Sequence, residues 1–296
     1  MYVERGSCED RLRYRGQDPW YCEIAITGKC NFKCAYCNRF NADVDLKRLY
    51  AFFDSVSGFR HIQITGGEPT KHFDFLEIMR RCRSHSLQLG LSTNGSAETS
   101  LYQGCGATRF SISLDDYDFG ILRTRGYVEP ELVVHNIKSL AKTHYVDVGI
   151  VVDGLNVDRI EDIVDYALSL GVADVKLSSS TRGGRIPVFE KTYESYPILS
   201  YRVQRFRLGL DVRGSSAVPT RCGIARNDVT IVGGDHYPCL VYFREGGRPI
   251  GAVSSDLMEQ RRDWSLQHDC SSDPVCVKYC MDFKCAFNNA LRDVRE

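Results

Sequence analysis

Short apolar runs alternate with amphipathic stretches between residues 20 and 180. YCEIAIT (21–27), RHIQIT (60–65), LQLGLST (87–93), RFSISL (109–114), VDVGIVV (146–152) and VKLSS (175–179) each read as a strand. In DRIEDIVDYALSLG (158–171), Ile160, Ile163, Val164, Ala167 and Leu168 recur at three- and four-residue spacing, which gathers them on one helix face. Asp158 suits the N-cap of that helix and Gly171 its C-terminal stop. PELVVHNIKSLAK (130–142) repeats the pattern, and FDFLEIMRRC (73–82) does so more weakly.

Strand–helix alternation of this kind implies a parallel sheet with helices outside it, as an open doubly wound sheet or as a barrel. Pattern alone leaves both open. In either, the chemistry gathers at the C-terminal ends of the strands. The notable motifs all fall there: CNFKCAYC (30–37) after the first strand, GGEP (66–69) after the second, TNG (93–95) after the third and Asp115 at the end of the fourth. From residue 181 the alternation stops. TRGGR (181–185) reads as a loop, and residues 188–208 as helical with an interruption at Pro197. RCGIARNDVTIVGGDHYPC (221–239) reads as a hairpin turning at Gly233 and Gly234. The tail, 264–296, is dense in cysteine and poor in long apolar runs, so a bound metal or cluster is expected to staple it.

Composition narrows the classes. Of 296 residues, 43% are hydrophobic and 26% charged, an ordinary globular mix. No apolar run reaches the length of about eighteen residues that a membrane span needs, and the charged N-terminus lacks the apolar stretch of a secretory signal, so a cytoplasmic location is expected. With 38 basic and 38 acidic residues the net charge is zero, which gives counterion release at a basic surface little to work with; neither nucleic acid nor membrane is expected as a partner. Cysteine departs from the ordinary. There are thirteen, an odd number, and metal ligation explains them better than a disulfide framework in a reducing compartment. Cys8, Cys22, Cys82 and Cys105 are scattered and suit small buried hydrophobes.

Cys30, Cys34 and Cys37 are separated by three and then two residues. Three thiolates with no neighbouring histidine leave one coordination position free, which suits an iron–sulfur cluster whose remaining iron takes a substrate. CNFKCAYC after a first strand, followed by GGEP after a second, resembles the radical S-adenosylmethionine (radical SAM) enzymes. The resemblance spans residues 20–180 and implies a partial (β/α)6 TIM-like barrel. It implies that Cys30, Cys34 and Cys37 hold a catalytic [4Fe-4S] cluster, that SAM chelates the free iron, and that its reductive cleavage yields a 5′-deoxyadenosyl radical. Tyr36 takes the aromatic slot beside the adenine, and Gly66, Gly67 and Glu68 match the segment that receives the SAM amine. Thr93, Asn94, Ser113 and Asp115 occupy strand ends where members contact ribose and methionyl groups. Arg125, in RTRGY, resembles an arginine that pairs with the SAM carboxylate, and Val151 and Val152 lie in the strand flanking the adenine. Taken singly, GGEP, TNG and SLD are ordinary turns and Tyr36 an ordinary core aromatic.

The later cysteines resemble the family's C-terminal auxiliary module, of SPASM or twitch type. Cys222, eleven residues, Gly234, four residues and Cys239 match its opening; Cys270, five residues, Cys276, three residues and Cys280 match its continuation. Gln267 stands where a further cysteine is expected, and only four residues separate Cys280 from Cys285. The implied cofactors are SAM, the catalytic cluster and at least one auxiliary [4Fe-4S] cluster. Its ligands are Cys222, Cys239, Cys276 and Cys280, with Cys270 and Cys285 as further candidates. A zinc-binding tail is the competing reading. A spare thiol, Cys270 or Cys285, is a candidate hydrogen-atom donor in an epimerisation.

The expected division is an N-terminal extension over 1–19, a radical SAM core over 20–210 and an auxiliary module over 211–296. Only residues 1–20 precede the first strand, so the separate peptide-recognition domain of many peptide-modifying members is not expected. The expected reaction is epimerisation or dehydrogenation at a carbon of a small natural product of sugar or aminoglycoside type, served by an electron donor such as flavodoxin or ferredoxin. Asp116 and Asp118 could meet such a cationic, polyhydroxylated ligand, or form a capped acidic turn. Peptide modification, by Cα epimerisation or thioether crosslinking, is the alternative; a non-catalytic zinc or iron–sulfur protein is the remote one.

Overall fold

The structure, a computed structural model, describes residues 19–38, 40–180, 185–212, 218–281, 285 and 288. In chain order its strands are β1 (Tyr21–Ala25), β2 (Phe59–Thr65), β3 (Ser86–Thr93), β4 (Arg109–Ser113), β5 (Tyr145–Val152), β6 (Asp174–Ser179), β7 (Asp228–Val232), β8 (Asp235–Tyr237) and β9 (Gly251–Ala252). All six expected strands form, each within two residues of its expected ends. The chain divides into two compact units. One comprises the described residues of Met1–Lys29, Asn38–Leu89 and Arg213–Glu296, the other Cys30–Cys37 and Gly90–Val212. The boundary falls within β3.

In the first unit the strands follow the order β2-β1-β7-β8-β9. β1 pairs in parallel with both β2 and β7, and β8 pairs antiparallel with β7 and with β9. The turn at Gly233 and Gly234 is where the sequence places it; Gly233 adopts φ 62°, a conformation glycine tolerates. Every residue of β1 is buried, as expected of a strand enclosed on both faces. Ile24, Ile62, Ile64 and Ile231 lose all exposure, each worth about 1.5–3 kcal/mol of transfer free energy.

In the second unit β3, β4, β5 and β6 are consecutive and parallel. The helix Pro130–Leu140 has proline at its first turn, where the missing amide costs nothing. It buries Val133, Val134, Ile137 and Leu140. The helix Ile160–Ser169 buries Ile160, Ile163, Val164 and Ala167, while Leu168 stays half-buried. Asp158 does not cap it: Asp158 lies in a preceding 3-10 turn, Val157–Arg159. Gly171 follows the helix at φ 86°, as expected of a stop. Residues 188–208 are not one interrupted helix. Pro197 starts the helix Pro197–Arg207, because its fixed φ suits a first turn and not an interior. TRGGR lies outside the described residues except Arg185, and so do residues 1–18 of the expected extension.

Candidate functional site

Cys30, Cys34 and Cys37 stand on one loop of the second unit, with Cys30 and Cys37 exposed and Cys34 half-buried. None of the three is in a disulfide. Polar contacts to the ends of neighbouring elements fix the loop. Asn94, after β3, donates from Nδ2 to Asn31 Oδ1 at 2.9 Å and to Cys30 Sγ at 3.8 Å. Asn31 donates to Ser96 Oγ at 2.9 Å, and Ser96 donates back to Asn94 Oδ1 at 2.7 Å. Lys33 N donates to Gly126 O at 3.1 Å, and Phe32 packs on Tyr127 with ring centroids 4.7 Å apart. Gly126 has φ 96°, and a Cβ there would lie 2.6 Å from the Lys33 carbonyl carbon, so only glycine fits.

Behind the loop lies a buried polar chain. Tyr36 donates from its hydroxyl to Asp115 Oδ2 at 2.5 Å. Asp115 Oδ1 accepts from Val151 N at 2.7 Å, and Arg125 NH2 stands 3.6 Å from Oδ2. Arg125 also donates to Asp153 Oδ1 at 2.8 Å and to Val151 O at 3.2 Å, and it lies over the Tyr36 ring. Its Nε is buried without a partner. Burial pushes the Asp115 carboxyl up, and Arg125 pulls it back. Burial opposes the Arg125 charge, but Asp115 and Asp153 outweigh it and raise its pKa. Burial also pushes the Cys34 thiol up to about 11, with Tyr36 pulling the other way and Asp115, Cys37 and Cys30 adding to the rise. A metal cation would reverse that balance.

Several expected contacts are committed within the protein. Both outer nitrogens of the Arg125 fork are taken, so a bidentate pair with an external carboxylate is not what this conformation offers. The Thr93 hydroxyl meets Tyr102 OH at 2.9 Å and accepts from Gly95 N. Val152 is buried, and its carbonyl accepts from Ser180 N. Ser113 ends β4, half-buried. Asp116 and Asp118 form the capped acidic turn and do not await a cation. Asp118 caps the helix Phe119–Thr124, and the fully buried Asp116 pairs with Arg159 at 2.5 Å. Ser96 and Asp153 lie in no quoted motif, and Asn31 and Tyr127 lie within CNFKCAYC and RTRGY without a role that the pattern assigns them, so none was legible as a site residue.

GGEP belongs to the first unit. Gly67 N donates to Thr27 O and Glu68 N to Lys29 O, both at 2.7 Å. A Cβ on Gly66 would lie 2.4 Å from Thr27 O, and one on Gly67 2.5 Å from Lys29 O. The glycines are therefore required by the approach of two backbone segments, before any ligand is considered. Glu68 is fully buried and caps the turn Pro69–Lys71 through Thr70.

The late cysteines also lie in the first unit. Cys222, Cys239, Cys270, Cys276 and Cys280 line one cleft with about 540 Å³ of empty space, part of it open to solvent. The Cys270 thiol is joined to Cys222 and Cys276 by hydrogen bonds that, with burial, push its pKa up. Cys222 Sγ accepts from Asn288 Nδ2 at 3.7 Å, and Cys239 Sγ from Tyr242 N at 3.4 Å. Cys285 is buried, with its amide bonded to Met281 O. Beneath them Arg261, fully buried, donates to Tyr237 O at 2.7 Å and also to Asp228 O, which ties the helix Leu257–Gln267 to β7 and β8. It also stands 3.3 Å from His236 Nδ1.

Both donor sets fit iron–sulfur clusters: reduced thiols in groups, with soft sulfur ligands and no competing disulfide among the described residues. Among these residues no helix is long and apolar enough to cross a membrane.

The Radical SAM superfamily pattern matches residues 24–167. A protein of Pyrococcus horikoshii named "Probable GTP 3',8-cyclase" is 32% identical over 158 residues, 49% of this chain and 51% of its own length. One of the same name from Thermococcus kodakarensis is 28% identical over 230 residues, 70% of this chain and 74% of its own. The match thus spans about half the length of the first of these relatives. Among solved structures, Streptococcus suis SuiB bound to precursor peptide SuiA superposes with TM-score 0.61 at 15% identity, covering 88% of this chain and 66% of SuiB. Native anSMEcpe with bound AdoMet gives 0.60 at 14% identity, covering 93% and 96%. These structures carry the fold alone, and they bear out the expected class, an α/β partial barrel with a cysteine-rich C-terminal region.

The expected function is corrected. The curated relatives are named GTP 3',8-cyclase, so a sugar or aminoglycoside epimerase or dehydrogenase, a peptide modifier and a non-catalytic metal protein all give way. The hydrogen-donor role given to Cys270 or Cys285 falls with epimerisation; Cys270 sits instead among the clustered thiols. The cofactors are S-adenosylmethionine and a [4Fe-4S] cluster, and the C-terminal thiols fit an auxiliary cluster. Residues 24–167 match the Radical SAM superfamily, the three-cysteine loop and the GGEP turn both lie within that match, and the C-terminal region is compatible with an auxiliary-cluster module.

Proposed function

We propose that Cys30, Cys34 and Cys37 hold the SAM-cleaving cluster and that the substrate is a purine nucleoside triphosphate, GTP first. The observation that carries the reading is the open thiol loop in a chain whose relatives are named for GTP cyclisation. When bound, SAM and the reduced cluster supply a one-electron cleavage that ends in hydrogen-atom abstraction from the substrate. The chain's own residues position and shield. Asn31, Asn94 and Ser96 hold the first cysteine's side of the loop, and Phe32 on Tyr127 keeps water from its base. Asp115 acts through Tyr36, fixing its ring, and is a positioning residue; Arg125 neutralises Asp115 and presents Nε. Gly66, Gly67 and Glu68 offer the turn that meets the SAM amine; Thr93, Ser113 and Val152 shape the strand ends around the cofactor.

In the same reading, residues 20–210 form the core and 211–296 a SPASM- or twitch-like module whose thiols hold an auxiliary cluster. A flavodoxin or ferredoxin supplies the electron. Anaerobic reconstitution, chemical reduction and assay of 5′-deoxyadenosine with GTP, ATP and guanosine test it. GTP-stimulated release of 5′-deoxyadenosine, with a cyclised product of unchanged mass, is expected. SAM cleavage indifferent to every nucleotide would remove the substrate; absence of cleavage would remove the enzyme.

A further inference from the structure

A histidine stands among the C-terminal thiols. Ligand atoms of His268, Cys270 and Cys276 lie within 4.8 Å of one another. The ring is held from three sides. Its amide donates to Trp264 O at 2.8 Å, its face stacks on the Trp264 indole at 4.1 Å, and its Nε2 lies 3.2 Å from Asp273 Oδ2. That approach is too poorly directed for a hydrogen bond, and Nε2 is buried without one. Asp273 is itself fixed. Its Oδ2 accepts from Tyr242 OH at 2.9 Å, and its Oδ1 accepts from Val275 N and from Cys276 N, at 2.8 and 2.9 Å. Asp273, which caps the helix Pro274–Tyr279 that carries Cys276, thus stands fixed beside the ring.

A buried ring nitrogen with no bonded partner is costly unless something else binds it. Two free thiols within ligand spacing and a carboxylate beside the ring are the surroundings in which an imidazole binds a metal. We infer that His268 is a nitrogen ligand of the C-terminal metal centre, beside Cys270 and Cys276, with the Asp273 carboxylate next to its ring. The inference rests on the proposal that these thiols hold an auxiliary cluster. A neutral imidazole in place of a thiolate removes negative charge from the centre and raises its reduction potential.

The test uses the full chain carrying Cys30→Ala, Cys34→Ala and Cys37→Ala, so that only the C-terminal centre loads. After anaerobic reconstitution with iron and sulfide, iron is counted and the reduced centre is examined by pulsed EPR. A directly bound ¹⁴N coupling is expected; it converts to ¹⁵N when histidine alone is labelled, a comparison that needs no substitution at the site. His268→Cys is expected to keep the iron, lose the coupling and lower the reduction potential. Asp273→Asn is expected to keep the coupling with altered magnitude. An iron–sulfur centre without directly bound histidine nitrogen, or a coupling that survives in His268→Cys, overturns the inference and leaves the auxiliary cluster standing. A triple variant that takes up no iron overturns both.

Discussion

On the loop Cys30–Cys37 two of three thiols face solvent, whereas Cys270 and Cys285 are buried and Cys222, Cys239, Cys276 and Cys280 half-buried. The loop is secured by amides and carbonyls reaching from strand ends, behind which Tyr36, Asp115 and Arg125 form a buried polar chain. The late thiols are secured by helix ends and a hairpin stapled through Arg261. An exposed trio keeps a coordination position for a ligand to enter, whereas a set with more donors than it needs can fill every position from the protein. In the proposed reading the same ligand chemistry serves substrate activation at one site and a redox or structural centre at the other.

Five substitutions probe that contrast. Cys34→Ala is expected to lower reductive SAM cleavage by ~10³-fold or more, as when one member of a unit is lost, whereas Cys280→Ala keeps cleavage and loses product. Comparing 5′-deoxyadenosine with nucleotide product reads both. Asp115→Ala leaves Arg125 paired with Asp153 but takes the acceptor from the Tyr36 hydroxyl and from Val151 N, at about 1–3 kcal/mol for each group left unsatisfied, seen as a lower urea midpoint of the apoprotein. On the other side His236 is fully buried, and burial, then Arg261, lowers its pKa to about 4. Above pH ~6.5 it is neutral folded and unfolded and affects nothing. As the pH falls toward 4 the unfolded chain takes a proton that the folded chain refuses, so up to about 3 kcal/mol of stability is lost. His236→Asn should flatten urea midpoints across that window. Asn94→Ala removes the bonds to Asn31 and Ser96 at a cost of about 1–2 kcal/mol, with faster exchange of the loop amides.

The strands were legible because their apolar runs are short and well bounded. The helix Leu46–Asp54 was not, since LKRLYAFFD is only nine residues and buries just Leu49, Phe52 and Phe53; its signal is the cap Asp45. Cysteine spacing marked the open loop but not what holds it: Asn31, Ser96, Tyr127 and Asp153 become a network only when distant strand ends meet. GGEP was legible as a motif for the wrong physical reason, since its glycines admit backbone before ligand. His268 escaped because a lone histidine has no spacing to announce it. The substrate class was misread because the residues that bind SAM say nothing of the molecule it attacks.

The central claim is that three thiolates leave one iron open to SAM. It is tested most directly by the EPR spectrum of the reduced N-terminal cluster, in a chain whose late cysteines are replaced, recorded before and after SAM is added. A change of spectrum on addition, abolished by Cys34→Ala, is the predicted result. A cluster that forms on that loop and whose spectrum SAM leaves untouched would contradict it.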